Sequence, residues 1–151
     1  MFKYLPINFY RPTKSIKGSM IQLTIKQAKV IQEGERTINT DGFVYLSFAS
    51  QIAEKKFDYD NKVVLKLNAL ECGDILRCLS TGGSTELFHR TESRTLSMKV
   101  EPHEDRFNLS GNMKDKSGTS KGFFYRLDAK EMEIFKVYLQ QAIIEIYRAE
   151  V

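Results

Sequence analysis

The chain has 151 residues, 42% of them hydrophobic and 28% charged, with a formal net charge of +4. That length suits one domain with one core, and those proportions exclude wholesale disorder. No apolar run approaches the ~20 residues of a membrane span, and the modest basic excess permits a nucleic-acid partner without requiring one.

In chain order, residues 1–18 hold two of the three prolines and end in Lys17-Gly18, so they read as a basic, irregular N-terminal arm ahead of one domain over residues 19–151. From Met1 to Gln32 there is no Asp or Glu, while Lys3, Arg11, Lys14, Lys17, Lys26 and Lys29 are basic. Pro6, Asn8 and Arg11 break up any secretory core, although an acid-free basic start also suits an organelle transit peptide. Period-2 alternation follows. Ile21, Leu23 and Ile25 face one way, as do Val44, Leu46 and Phe48, then Val63, Leu65 and Leu67. Asn68 with Glu71 three residues later predicts a capped helix start. Cys72, Ile75, Leu76 and Leu79 then form a helical stripe that Gly82-Gly83 stops. The two cysteines, Cys72 and Cys78, are six apart, which does not make a Cys-x-x-Cys pair, and are expected to be free, buried thiols in a reducing compartment. Three more alternating runs carry Leu96, Met98 and Val100, then Phe107 and Leu109, then Phe123, Tyr125 and Leu127. Asp128 with Glu131 opens a second helix, expected to run to about Ala149, whose stripe of Met132, Phe135, Leu139, Ala142, Ile143 and Ile146 is widened by Ile134, Val137 and Tyr138. The extra apolar surface fits either a half-buried core face or a subunit interface. The order is therefore strands then helix, twice, over roughly residues 20–81 and 83–149.

Catalytic equipment is sparse. His89 and His103 have no His, Cys or acid at metal-ligand spacing, so neither a zinc site nor any cofactor is expected. Glu101 and Glu104 flank Pro102 in what reads as a solvated turn. Gly82-Gly83-Ser84-Thr85 follows a helix and lacks the lysine of a phosphate-cradling loop. Binding is better supported. The positions opposite the apolar ones are Gln22, Thr24, Lys26, Phe43, Tyr45, Ser47, Lys62, Lys66, Ser97, Lys99, Arg106, Asn108, Phe124 and Arg126. This set is basic, aromatic and neutral-polar, with no acid. Unpaired bases stack on rings while cations follow the phosphates, so such a face suits a single strand. Packing of the same rings in a protein interface is the competing reading.

Several short motifs carry a resemblance. Gly42-Phe43-Val44-Tyr45-Leu46-Ser47-Phe48-Ala49, Phe57-Asp58-Tyr59, Glu71-Cys72-Gly73-Asp74-Ile75, Glu86-Leu87-Phe88-His89, Lys99-Val100-Glu101-Pro102 and Phe107-Asn108-Leu109-Ser110 occur in the order found in the Whirly family of single-stranded DNA-binding proteins. Lys17-Gly18-Ser19-Met20-Ile21 stands where that family has Lys-Gly-Lys-Ala-Ala-Leu, with Ser19 replacing the second lysine. The resemblance spans about residues 17–148. It implies an α+β fold of two antiparallel four-stranded sheets packed at a steep angle with two helices, assembled as a homotetramer through the C-terminal helix. Single-stranded DNA would lie across the sheets with little base specificity, and the chain would not be an enzyme. Lys17, Lys26, Lys62, Lys66, Lys99 and Arg106 are the expected phosphate ligands, and Tyr45, Phe57, Tyr59 and Phe88 the expected stacking rings. RNA is the alternative ligand, since a similar fold serves guide-RNA annealing proteins; a structural oligomer without nucleic acid is the alternative class. The chain lacks the plant proteins' Pro-Tyr-Leu-Leu-Gly-Trp ending and any tryptophan. That suggests a bacterial or viral relative acting in the cytoplasm or nucleoid, with an organelle also open.

Overall fold

Alternation sets the strands and 3.6-residue periodicity the helices, and the computed structural model describes them over residues 5–150. Lys3 of the basic opening segment lies outside the described residues. The first half runs β1 (Ile7–Arg11), β2 (Ser19–Lys26), β3 (Ala28–Glu33), β4 (Arg36–Thr40), β5 (Phe43–Ala53), β6 (Lys56–Phe57) and β7 (Val63–Leu67), then α1 (Ala69–Thr81). A 3-10 turn, Tyr59–Asn61, precedes β7. The second half runs β8 (Thr85–Arg90), β9 (Arg94–His103), β10 (Arg106–Asp115) and β11 (Ser120–Leu127), then α2 (Ala129–Ile146) and β12 (Ala149–Glu150).

The first sheet is antiparallel in the order β1-β2-β5-β7, with β6 added at the far end of β5. The second is β8-β9-β10-β11, also antiparallel. The fold is thus α+β, with a principal four-stranded sheet and a helix in each half, to which the first half adds β6 and the β3–β4 hairpin. Three features correct the sequence reading. Residues 7–11, expected in an irregular arm, form β1, because Ile7 and Phe9 alternate with Asn8 and Tyr10 and continue the sheet beside Leu23 and Ile21. Residues 28–40 leave the first sheet as the β3–β4 hairpin, which turns at Glu33–Arg36 and is joined by β12 in parallel with β3. Finally, α2 ends at Ile146, earlier than expected, with Tyr147 as its C-cap.

Both helix starts follow the expected chemistry. Asn68 Oδ1 accepts the Glu71 N–H at 2.9 Å and Glu71 Oε1 accepts the Asn68 N–H at 3.1 Å. Asp128 and Glu131 repeat the pair at 2.8 and 3.0 Å. Such caps satisfy backbone donors that the helix leaves unpaired, at about 1 kcal/mol each. Each sheet buries one face in a single shared core. Phe48 of the first sheet meets Phe123 of the second with ring centroids 4.5 Å apart. Phe135, Leu139, Ala142 and Ile146 of α2 and Cys72, Ile75, Cys78 and Leu79 of α1 close it. Both cysteines are free and buried, and burial pushes the Cys72 thiol up to about 12. Glu145 is a buried carboxylate that sequence periodicity does not flag. It accepts from Gln27 Nε2 at 2.7 Å and Gln141 Nε2 at 2.9 Å, and pairs with Arg148 at 3.3 Å.

Gly111 is a point of close approach in the second sheet, where a Cβ would lie 2.0 Å from the Ser97 carbonyl oxygen and 2.4 Å from the Phe123 ring. Gly111→Ala is therefore expected to destabilise the fold by about 1–3 kcal/mol through overpacking. A urea melt checks this, and an unchanged midpoint would refute the close approach.

Candidate nucleic-acid interface

With the inner faces committed to the core, the outer faces are what each sheet offers a ligand. On the first sheet, register places Thr24, Tyr45 and Lys66 in one row and Lys26 beside Phe43 in the next. The expected residues Lys26, Tyr45 and Lys66 are thereby brought together. They line a cleft of about 670 Å³ with Lys29, Phe43 and Asn68, and Asp41 and Glu71 also contribute to its wall. Phe43 is only 8% exposed. The Lys66 ammonium lies 4.0 Å from its ring centroid and that of Lys26 5.4 Å. Tyr45 meets the same ring edge-on at 4.6 Å. Phe43 is thus occupied as a cation–π anchor, and the half-buried Tyr45 is the ring left for a base.

A second aromatic group lies at the other end of the sheet, about 25 Å along β5 at ~3.3 Å per residue. Tyr10 and Phe57 pack with ring centroids 5.6 Å apart and planes tilted at 45°, and the Tyr59 phenol interacts with that of Tyr10. Burial and that interaction push the Tyr59 phenol up to about 12, so it is neutral at physiological pH. Tyr10 and Tyr59 keep large exposed areas, 50% and 42%. Between the two aromatic groups runs a neutral row in which Gln22 Nε2 donates to Asn8 Oδ1 at 2.9 Å. Lys62 follows the Tyr59–Asn61 turn and is exposed. Lys17 is exposed in the loop between β1 and β2.

The second sheet departs from the acid-free face expected. Its rows are Glu86-Lys99-Ser110-Phe124 and Glu101-Asn108-Arg126. Glu101 belongs to β9, which continues through Pro102 to His103, so its side chain shares the face of Lys99 and pairs with it at 3.2 Å. Two carboxylates thus offset the positive charge of Lys99. Arg126 is fixed over the Phe124 ring at 5.6 Å while its Nε donates to Asn108 Oδ1 at 2.7 Å. Phe88 is 67% exposed on the edge strand β8, and Arg106 is exposed at the start of β10. These two stand apart from the cleft residues, on the other sheet. His89 turns away from the outer face and hydrogen-bonds Glu71 of α1.

Sequence reasoning missed Tyr10, Lys29 and Gln51. The alternation of residues 7–11 carried a signal for Tyr10. Lys29 carried none, since only the β3–β4 hairpin brings it to the cleft. Gln51 gives no sequence signal at all, because its partners are backbone atoms of other segments. Arg11, one of the acid-free N-terminal cations, is consumed by structure. It pairs with Glu131 and with Asp128, and lies 5.5 Å from the Tyr125 ring centroid. Among the described residues no group of three or more His, Cys, Asp or Glu is placed to hold a metal ion, and no helix is long and apolar enough to cross a membrane.

Two antiparallel sheets over one core, each half closed by a helix and the first sheet turning a lysine- and tyrosine-lined face outward, define a class of α+β domain built from paired sheets. The chain belongs to the Whirly family: the model described as Whirly transcription factor matches residues 15–138. Its fold is similar to the plant transcriptional regulator PBF-2, with TM-score 0.81 and 17% identity over 97% of this chain and 92% of that one. WHY3 from Arabidopsis thaliana gives 0.80 and 17% over 97% and 90%. A guide-RNA-binding protein complex bound to a gRNA gives 0.59 and 16% over 93% and 91%. No curated protein sequence matches the chain significantly.

The Tyr59 and Cys72 shifts fix the sign of the alkaline response. The unfolded chain releases these protons near 10.0 and 9.0, while the folded chain holds both to about 12. Between those limits the folded state binds more protons, so stability falls as pH rises. Denaturant midpoints are expected to drop steadily above pH 9, and Tyr59→Phe to flatten the part above pH 10. A Tyr59→Phe profile parallel to that of the unmodified chain would contradict the assignment.

Proposed function

We propose that this chain is a non-enzymatic single-stranded DNA-binding protein of low sequence specificity, serving DNA replication, recombination or repair, or transcription. The observation that carries this reading is the cleft where Lys26 and Lys66 flank Phe43 beside Tyr45. Cations held over a ring beside a second, accessible ring match a backbone-following strand whose bases are unstacked. Duplex DNA presents its base edges in a groove that needs a protruding helix or ribbon; both helices here are built into the core, and the exposed β3–β4 ribbon carries the carboxylates Glu33 and Glu35 at its tip.

RNA is the second reading, favoured by the shared fold of the guide-RNA-binding complex. Assembly is the other part of the proposal. The side of α2 turned from the core exposes Ile134, Val137 and Ile144, spaced at helical intervals. We take this stripe as the surface through which protomers form a homotetramer, bringing several sheet faces into one binding surface.

Fluorescence anisotropy with a ~30-nucleotide DNA strand, its duplex and the matching RNA, each across salt concentrations, tests the ligand. Salt-sensitive preference for the DNA strand is expected. Lys66→Ala should lower the salt slope by about 0.7, the value for one phosphate contact on a single strand. Tyr45→Ala should weaken binding by about 1–3 kcal/mol regardless of sequence. An unchanged salt slope for Lys66→Ala would sink the cleft as the site, and stronger RNA binding would reassign the ligand. Separately, Val137→Asp is expected to dissociate the assembly with the protomer still folded; sedimentation showing an unaltered mass would place the interface elsewhere.

A further inference from the structure

We infer that Gln51 is a positioning residue that holds the backbone of the loop of residues 13–18 in one preorganised shape, so that Lys14 and Lys17 project from a fixed backbone toward a nucleic acid beside the Tyr10–Phe57–Tyr59 rings. This rests on the nucleic-acid reading above. Gln51 stands at the end of β5 and is 5% exposed. Its Oε1 accepts the N–H groups of Thr13 and Gly18, each at 2.9 Å, and so grips both ends of the loop. Its Nε2 lies 3.2 Å from the Thr13 carbonyl oxygen and 3.1 Å from those of Ala53 and Glu54. The Gln51 N–H donates to the Gly18 carbonyl at 3.0 Å. A carboxamide offers two hydrogens and two lone pairs, and here all of them are spent on backbone from two other segments.

The loop itself is tightly determined. Thr13 Oγ1 accepts the Lys17 N–H at 2.9 Å, and the Thr13 carbonyl accepts the Ile16 N–H at 3.2 Å. Ile16 has φ 58, a left-handed conformation that a β-branched residue adopts only where its surroundings over-determine it. Gly18 is obligatory, since a Cβ there would lie 2.0 Å from the Arg11 carbonyl oxygen and 2.7 Å from Gln51 Oε1. What the anchoring fixes is the backbone that carries two exposed lysines in an acid-free segment. The same carboxamide holds the turn between β5 and β6, which leads directly into Phe57, so one side chain sets the loop against the aromatic group. A loop backbone already held in place loses less freedom when a phosphate meets the lysines it carries.

The test is a mutant cycle read by anisotropy with a 30-nucleotide oligothymidine at several salt concentrations, using the full chain, with melting curves and sedimentation on each variant. The Lys14→Ala/Lys17→Ala double variant is expected to lose about tenfold in affinity and about 1.4 in salt slope, for two contacts at ~0.7 each. Gln51→Ala, which keeps both lysines, should lose several-fold, with no further loss when combined with the double variant but full additivity with Lys66→Ala. Thr13→Val loosens the same loop from an exposed position and should show a smaller loss with the same dependence, which keeps the test open if Gln51→Ala folds poorly. A Gln51→Ala effect of equal size with and without the two lysines overturns the positioning role, as does no effect at all. Absence of salt-sensitive binding by the unmodified chain overturns the parent reading instead, and this one with it.

Discussion

Phe48 and Phe123 touch across the interior, one from each sheet, and the rest of the molecule depends on the shared core they occupy. A sheet with period-2 alternation has one apolar face that must leave water. Two such sheets closing on each other, with α1 and α2 completing the enclosure, satisfy both at once. The consequence for function is geometric. Every residue opposite the core is turned outward on a rigid surface, so Tyr45 and Lys66 owe their relative positions to Leu46, Leu65 and Leu67 behind them.

The two outer faces are not equivalent. The first sheet sets Lys26 and Lys66 around Phe43 and Tyr45 with no carboxylate on the strands between them, while Lys29 of the hairpin, Asp41 and Glu71 stand at the cleft wall. The second interleaves Glu86 and Glu101 with Lys99 and Arg126. Charges of both signs on neighbouring strands largely cancel beyond a few ångströms, whereas like charges sum. On its strands the first face is therefore the more positive, and an exposed ring such as Phe88 on the second contributes area with little net charge beside it. A buried ring under two ammonium groups also limits how freely those lysines move.

Long-range side-chain bonds tie the N-terminal segment into this arrangement. Arg11 joins β1 to the capping box of α2, where Tyr125 also donates to Glu131. Gln51 joins the following loop to β5. These contacts act as register pins, since a shift of the segment by one residue would break them, and for the buried Gln51 it would also leave a carboxamide unpaired. Lys121, whose ammonium reaches the Asn61 carbonyl, does the same between the second sheet and the turn carrying Tyr59.

Local rules made much of this legible. Alternation marked the inner residues of β2, β5, β7, β9, β10 and β11, and the Asn68–Glu71 and Asp128–Glu131 pairs marked both helix starts, because strand faces and helix caps are decided within a few residues of chain. The cluster of Lys26, Tyr45 and Lys66 followed from the same alternation once register aligned them. The sequence did not reveal β1, which looked like an arm because Pro6 and Pro12 bracket it, nor the departure of β3 and β4 from the sheet. It did not place Glu101 beside Lys99, since a proline one residue later suggested a turn where β9 continues. What the sequence alone determined is which residues face the core and where the helices begin. What only the tertiary structure decided is the cation–π anchoring of Lys26 and Lys66, the buried Glu145 and the grip of Gln51 on a distant loop. Those depend on contacts between segments far apart in the chain, and no local periodicity encodes them.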